Sequence, residues 1–281
     1  LPAGGEVLVV LGDAPLLSAD TTRRLVEARR AAGAAVAVLG FRAADPAPYG
    51  RLVCDAAGEP LKIVEARDCT PEQFKIDLVN SGVMAFDGAL LPGLLDRLRP
   101  TNAQGEYYIT DLIEHARADG RRCVVVEGPE AEFLGVNSRV ELAAVEAAMQ
   151  DRLRRRAMDG GVTMVDPSSV WLSADTVLGR DVRIEPHAVF GPGVRVGDRV
   201  DIKAFCHIEG AEIGDDAVVG PYARVRPGSR IGRAAHIGNF VEVKNATLGD
   251  GVKANHLAYV GDADIGARSN IGAGVICVNY D

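Results

Sequence analysis

Residues 184–202 read IEPHAVFGPGVRVGDRVDI, and an apolar residue returns at every sixth position of this stretch. The same period, with occasional slips of one residue, extends in both directions along the second half of the chain. The recurring positions are Leu178, Ile184, Phe190, Val196, Ile202, Ile208, Ile213, Val219, Val225, Ile231, Ile237, Val243, Leu248, Ala254, Val260, Ile265, Ile271 and Cys277. A six-residue period predicts a parallel β-helix, in which each repeat forms a short strand and a turn and three repeats close one coil.

Residues 6–136 carry a different pattern, in which strand-like stretches alternate with helix-like ones. The first strand-like stretch, EVLVVL, ends at Gly12 and Asp13, and an amphipathic run from Thr21 to Ala32 follows. This alternation predicts an α/β domain. Because open α/β sheets bind ligands beyond the carboxyl ends of their strands, Asp13 is a candidate ligand or metal residue.

A helical linker is predicted between the two halves. Ser138 and Glu141 have the spacing of a capping box, and the following run should be helical to about Met158, where two glycines end it. We therefore expect an α/β domain over 1–137, a linker over 138–160 and a β-helix over 161–281.

Composition excludes several classes of protein. The net charge of −8 argues against a nucleic-acid partner, and we interpret the arginine cluster of the linker as a solvated helix face (Arg152, Arg154, Arg155 and Arg156). No apolar run approaches the length of a membrane span. The five cysteines are scattered without a C-x-x-C pair, which favours reduced thiols and a cytoplasmic location without a membrane partner.

Two cations are predicted to stack in the β-helix. Val225 and Val243 lie 18 residues apart in one frame, so Arg226 and Lys244 should occupy the same corner of successive coils, about 4.8 Å apart. Such a pair favours a bound anion, and phosphate is the natural occupant. Solvated corner charges are the alternative interpretation.

His256 is the one histidine whose frame suggests chemistry. It should lie at a turn, stacked between Asn239 one coil earlier and Ala273 one coil later, with Tyr259 and Asn270 on neighbouring turns. Imidazole is well matched to general-base catalysis near neutral pH. A purely structural histidine is the alternative.

Four segments of the β-helix resemble one enzyme family: RPG at 226–228, NFVEVK at 239–244, NHLAYVGD at 255–262 and NIGAG at 270–274. The family is that of the bifunctional N-acetylglucosamine-1-phosphate uridyltransferase and glucosamine-1-phosphate acetyltransferase, and the resemblance covers essentially the whole chain. It implies an incomplete Rossmann-like nucleotidyltransferase domain followed by a left-handed parallel β-helix.

The resemblance implies an acetyltransferase site between the subunits of a homotrimer. His256 then acts as the base that deprotonates glucosamine-1-phosphate as its amine attacks acetyl-CoA, and Arg226 and Lys244 hold the sugar phosphate. Ala273 matches a position that touches acetyl-CoA. The remaining positions that match substrate contacts are Tyr259, Asn270, Asn279 and Tyr280.

In the α/β half, the resemblance implies binding of UDP-N-acetylglucosamine and transfer of a uridyl group from UTP. Asp13 and Asn137 match the residues that hold Mg²⁺. The full set of matching residues is Leu11, Gly12, Asp13, Gly50, Glu65, Asn80 and Asn137. The stretch NAQGEYYITD at 102–111 also resembles the family.

Two departures from the family affect the expected activity. Nothing before Asp13 matches the Gly-rich loop that cradles UTP, and the chain stops before the family's last coils. We therefore expect a sequence cut short at both ends, with one or both activities impaired.

A hexapeptide repeat is also compatible with other functions. A related sugar-phosphate nucleotidyltransferase could use its β-helix only for regulation or trimerisation, and a β-helix could also be a scaffold without catalytic activity. A γ-class carbonic anhydrase is disfavoured because the histidines lack the required pair five residues apart.

Overall fold

The computed structural model describes residues 4–100 and 105–279. Along the sequence, the chain divides into two units, with the boundary between Val145 and Glu146. Tyr280, expected to bind substrate, lies outside the described residues. Within those residues, no helix combines the length and the hydrophobicity needed to cross a membrane.

The first unit is built on a mixed β-sheet. Its strands are β1 (Glu6–Val9), β2 (Val36–Arg42), β3 (Arg51–Cys54), β4 (Pro60–Val64), β5 (Leu78–Asp87) and β6 (Cys123–Glu127). They lie in the order β4-β3-β5-β2-β6, and β1 also pairs with β5. The pairing of β2 with β6 is parallel and the other pairings are antiparallel. The predicted α/β class is confirmed.

Helices cover both faces of this sheet because successive residues of a strand point to opposite faces. The helices are α1 (Ala19–Ala32), α2 (Leu91–Leu95) and α3 (Leu112–Ala118). In β2, Val36 and Val38 pack in a cluster with Ile113 of α3, whereas Ala37 packs in a second cluster with Leu25 of α1. The strand ends therefore stay free to form a site.

The linker is helix α4 (Arg139–Asp159), and its first turn is capped as predicted from Ser138. Ser138 Oγ accepts a hydrogen bond from the Glu141 N–H at 3.2 Å. The reciprocal half of the capping box differs, because Glu141 Oε2 accepts from the Asn137 N–H at 2.6 Å and not from Ser138. Glu141 thereby holds the backbone of a residue expected to bind metal.

The second half of α4 packs on the first coil of the β-helix. The Gln150 side chain bonds both the N–H of Leu172, at 2.9 Å, and its carbonyl oxygen, at 2.7 Å. Arg154 is buried and donates to the Val170 carbonyl oxygen at 3.1 Å. The prediction of a solvated arginine face is therefore wrong for Arg154, because its side chain covers backbone groups that the first coil leaves unpaired.

The second unit is the predicted parallel β-helix. Its strands are β7 (Thr163–Met164), β8 (Val177–Leu178), β9 (Arg183–Ile184), β10 (Val189–Phe190), β11 (Arg195–Val196), β12 (Asp201–Ile202), β13 (His207–Ile208), β14 (Glu212–Ile213), β15 (Val218–Val219), β16 (Arg224–Val225), β17 (Arg230–Ile231), β18 (His236–Lys244), β19 (Thr247–Leu248), β20 (Lys253–Gly261), β21 (Asp264–Ile265) and β22 (Asn270–Ile271). All of these strands pair in parallel, and paired residues are 17 or 18 positions apart in the sequence. For β7 and β9 the separation is 20 positions.

The recurring apolar positions fill the interior of the coils, as the period predicts. Ile184, Ile208 and Ile237 are fully buried in one continuous core. β18 and β20 are longer than the other strands because each continues around a corner and pairs on two faces of the coil. These two strands carry three of the predicted acetyltransferase residues, Lys244, His256 and Tyr259.

One exposed corner of the β-helix carries stacked rings. His187, Phe205, Tyr222 and Phe240 follow one another on successive coils, with ring centroids 4.8, 4.9 and 5.2 Å apart. Each of these residues has a left-handed backbone, with φ between 56° and 60°. The column leads toward Leu257, which lies between His256 and Ala258, the residues that pair with Asn239 and Val241.

Candidate functional site

Strand register brings Arg226 and Lys244 to the same corner. Val225 of β16 pairs with Val243 of β18, and the Arg226 N–H donates to the Val243 carbonyl oxygen at 2.8 Å. The predicted stacking one coil apart is therefore confirmed. Both side chains are partly buried, with 34% of Arg226 and 24% of Lys244 exposed.

The two cations each have a carboxylate partner within the chain. Arg226 Nη1 lies 2.9 Å from Glu242 Oε1, and Lys244 Nζ lies 3.7 Å from Asp262 Oδ2. Each stacked cation is therefore paired within the chain, and the bound phosphate stays a prediction. An incoming phosphate must therefore share these cations with Glu242 and Asp262.

Asp262 connects three of the predicted residues. Its Oδ1 accepts from Asn245 Nδ2 at 2.7 Å, and its Oδ2 accepts from Asn279 Nδ2. Asn279 Nδ2 also lies 3.2 Å from the Tyr259 hydroxyl oxygen. The hydrogen bonds from Asn245 and Asn279, together with the charge of Lys244, lower the pKa of the Asp262 carboxyl. Asp262 therefore remains an anionic acceptor at neutral pH.

The sequence carries a signal for this network that is separate from the six-residue period of apolar residues. Asn245, Asp262 and Asn279 recur at intervals of 17 residues, the length of a coil that includes one slip. Polar residues at that interval occupy one column of the β-helix. Their side chains therefore meet between successive coils.

His256 lies in β20 at the bend between two faces of the coil. It pairs in register with Asn239 of β18, which confirms the predicted stack. Leu257, the next residue, has φ 52° and turns the chain. Its carbonyl oxygen accepts from the Gly274 N–H at 2.7 Å, so that Ala273 lies one coil beyond His256. His256 is exposed and accessible to a substrate.

Asn270 is the predicted residue least connected to this group. It begins β22 and pairs with Lys253, at the start of β20. Within residues 4–100 and 105–279, no hydrogen bond joins its side chain to the Asp262 network. Asn270 and Ala273 are both exposed on the coil that follows His256.

The first unit contains a cavity of about 560 Å³ at the ends of its strands. Six of the seven residues that the resemblance assigns to nucleotide-sugar binding line it, and Gly12 lies between two of them. The lining residues are Leu11, Asp13, Ala14, Phe41, Pro48, Tyr49, Gly50, Glu65, Asn80, Ser81, Gly82, Phe133, Leu134, Gly135, Asn137 and Glu141. Segments distant in sequence therefore meet at one site.

Backbone hydrogen bonds assemble this cavity. The Asp13 carbonyl oxygen accepts from the Val136 N–H at 2.9 Å, and the Gly50 carbonyl oxygen accepts from the Asn80 N–H at 2.8 Å. Gly50 lies against Ile63 and Glu65, because a Cβ at Gly50 would lie 3.1 Å from Ile63 Cγ2 and 3.4 Å from a Glu65 carboxylate oxygen. The site thus depends on close approach of the backbone.

Burial perturbs two of the lining residues, Tyr49 and Glu65, and Glu65 is the carboxylate of the two. Burial raises the pKa of its carboxyl, and the charge of Asp68 raises it further. A partly desolvated carboxylate is a strong acceptor for hydroxyl groups. Glu141 also lines the cavity and was missed as a site residue, because its spacing from Ser138 identified it only as part of a helix cap.

The oxygen atoms of Asp13 and Asn137 suit a hard cation. Both residues are exposed and line the cavity. Across the described ranges, no three His, Cys, Asp or Glu side chains gather as metal ligands. Magnesium commonly uses one or two protein ligands and completes its octahedron with water and substrate phosphate. The residues therefore fit a shared Mg²⁺ better than a closed structural metal site.

Known proteins match this chain over different parts of its length. Residues 175–210 and 210–245 match the family model described as bacterial transferase hexapeptide (six repeats). The chain is 57% identical over 279 residues to the bifunctional protein GlmU of Paramagnetospirillum magneticum, and the match covers 99% of this chain and 62% of that protein. It is 58% identical to the corresponding protein of Rhodospirillum rubrum, with the same coverage.

One solved structure gives a low-scoring match. A histidine-to-alanine variant of the GDP-perosamine N-acetyl transferase from Caulobacter crescentus, in complex with CoA and GDP-perosamine, is 16% identical, with a TM-score of 0.33. The match covers 59% of this chain and 87% of that chain. The chain spans 62% of the length of these two curated relatives, and over that length it is 57% and 58% identical to them.

Proposed function

We propose that the chain contributes to both reactions of UDP-N-acetylglucosamine synthesis, acetyl transfer to glucosamine-1-phosphate and uridyl transfer from UTP to the product. The observation that carries this proposal is the group of Lys244, Tyr259 and Asn279 around Asp262, with Tyr259 on the same strand as His256. It supports recognition of a phosphorylated sugar next to a basic side chain, as the family resemblance implies.

In the acetyl transfer, Arg226 and Lys244 bind the phosphate of the amino sugar. The free amine of the sugar attacks the carbonyl carbon of acetyl-CoA, and His256 takes the proton that the amine nitrogen loses as the amide forms. A carbon–nitrogen bond forms, the carbon–sulfur bond breaks, and CoA leaves as its thiolate. The acetyl group passes directly to the sugar, with Ala273 at the acetyl-CoA side.

In the uridyl transfer, the cavity of the first unit binds the sugar through Gly50, Glu65 and Asn80. Its volume is within the range of small-molecule sites. Asp13 and Asn137 hold Mg²⁺, which when bound neutralises negative charge on the phosphates. The sugar phosphate oxygen attacks the α-phosphorus of UTP, and pyrophosphate leaves.

We further propose that the chain acts as a homotrimer. The resemblance places the acetyltransferase site between subunits, and the exposed column of rings ends beside His256. Light scattering at micromolar concentration should report a mass of three chains. A monomer at that concentration would contradict this part of the proposal.

The two activities are tested separately on the same preparation. Acetyl transfer is followed by release of the CoA thiol with glucosamine-1-phosphate as acceptor, and uridyl transfer is followed by release of pyrophosphate from UTP. Thiol release that requires both substrates supports the proposal. Pyrophosphate release without any acetyl transfer would favour the alternative, a nucleotidyltransferase whose β-helix only regulates or trimerises.

A further inference from the structure

The column Asn245, Asp262 and Asn279 forms a ladder of amide, carboxylate and amide along one corner of the β-helix. Each carboxylate oxygen of Asp262 accepts from a different asparagine, one on the preceding coil and one on the following coil. Asn245, at one end of the ladder, packs against Gly228, where a Cβ would lie 2.6 Å from Asn245 Oδ1. The corner is therefore closely packed.

The backbone supports the position of Asp262. Asp262 and Asn245 have left-handed φ values of 49° and 45°, a conformation that Asp and Asn tolerate better than most residues. The Asp262 N–H donates to the Lys244 carbonyl oxygen at 3.0 Å. The carboxylate is thus held by its own backbone next to the lysine that faces it.

We propose that Asp262 is a positioning residue for the sugar-phosphate site, holding Lys244 and Asn279, and through Asn279 also Tyr259, in the geometry that binds a phosphorylated amino sugar. The inference rests on the proposed acetyltransferase function and assigns a role to a residue outside the substrate contacts. Asp262 acts through its neighbours and does not contact the reacting atoms.

The negative charge of Asp262 repels a phosphate, whereas its hydrogen bonds position the side chains that would bind the phosphate. A carboxylate near Lys244 repels an incoming phosphate, but the two side chains are 24% and 37% exposed and 3.7 Å apart, and partly solvated pairs of this kind interact weakly. Hydrogen bonds to a charged acceptor are individually stronger. Positioning therefore outweighs repulsion, and removal of the carboxylate should weaken binding.

A second ladder of the same geometry provides the control. Asp216 accepts from Arg199 Nε at 2.6 Å and from Arg233 Nε at 3.1 Å, again across 17 residues in each direction. Like Asp262, it has a left-handed backbone, with φ 60°. The partners of Asp216 are Arg199 and Arg233, whereas those of Asp262 include Lys244 and Asn279. Loss of Asp216 should therefore reduce stability alone.

The experiment measures binding of glucosamine-1-phosphate by calorimetry to the whole chain and to three variants. Asp262→Ala should weaken binding by about tenfold, the effect of losing one hydrogen bond to a charged group. Asp262→Asn should restore binding to within about threefold, because an asparagine can accept from one amide and donate to the other. Asp216→Ala should bind as the parent chain does.

Each result has one meaning. Unchanged binding by Asp262→Ala overturns the inference, as does an equal loss in Asp216→Ala, which would indicate a general loss of coil stability. Binding by Asp262→Asn as weak as that of Asp262→Ala would assign the effect to charge and also overturn it. If the unsubstituted chain fails to bind glucosamine-1-phosphate, the proposed function itself fails.

Discussion

The backbone N–H of Val136 donates a hydrogen bond of 2.9 Å to the carbonyl oxygen of Asp13. This contact joins the end of the first strand-like segment to the loop that precedes α4. It brings Asp13 and Asn137, the two residues expected to hold Mg²⁺, to the same cavity. The proposed magnesium site therefore depends on tertiary structure as well as on the two side chains.

Replacement of Asp13 by Asn should weaken Mg²⁺ binding by about tenfold or more, because a neutral amide replaces the one carboxylate of the ligand pair. The measurement is calorimetric titration of MgCl₂ into the chain in the presence of UDP-N-acetylglucosamine. Asp20→Asn, a change of another exposed carboxylate in the same unit, is the control. Equal Mg²⁺ affinity in parent and Asp13→Asn chains would refute the assignment.

In a chain extended to the length of its curated relatives, replacement of His256 by Ala should lower kcat for acetylation by about 10²- to 10⁴-fold, the usual contribution of a general base, with little change in KM. Uridyl transfer should be unaffected, since its residues belong to the other unit. His236→Ala removes another exposed histidine of the β-helix and should leave kcat unchanged. Near-normal acetylation by His256→Ala would return His256 to a structural role.

Replacement of Arg226 by Ala should raise KM for glucosamine-1-phosphate by about tenfold to a hundredfold, with a smaller effect on kcat. Two effects add, since the phosphate loses a contact and Glu242 loses the partner that lies 2.9 Å away. Adding Glu242→Gln to the Arg226→Ala chain should recover part of the loss. Arg224→Ala, which removes a longer 4.0 Å contact to Glu242, is the control. A KM unchanged in Arg226→Ala would exclude a phosphate contact there.

The Asp216 ladder should make stability depend on pH in the acid range. Hydrogen bonds from Arg199 and Arg233 lower the pKa of Asp216 from 3.8 to about 2. Because the folded-state pKa is the lower one, the stabilisation is present above pH 3.8 and is lost as the pH falls toward 2. Urea unfolding should find Asp216→Asn less stable than the parent at pH 6, with the difference shrinking near pH 3. A difference independent of pH would contradict this account.

The coil architecture was predictable because a β-helix is governed by local repetition. Each hexad places one apolar residue inside, and Val225 and Val243 pair across one coil as their spacing requires. His256 and Asn239 pair for the same reason. These relationships depend on the number of residues in one coil. That number follows directly from the six-residue period of the sequence.

The partners of the predicted side chains were not predictable in the same way. Glu242 and Asp262 were visible in the sequence, yet their contacts with Arg226 and Lys244 depend on side-chain directions at a corner. Arg154 was expected to be solvated, and it is buried because the first coil has backbone groups without a neighbouring strand. Such contacts follow from the space and the unpaired groups around a side chain, which no period encodes.

The sequence by itself determined the two domain classes, the interior residues of the β-helix and the stacking of Arg226 on Lys244. Only the tertiary structure decided that Asp13 meets Val136, that Gly50 faces Glu65 and that Asp262 bridges two coils. The physical reason is that a repeat fixes positions through local spacing and backbone pairing. A site is formed by side chains from distant segments, whose meeting depends on how the sheet and the coils pack.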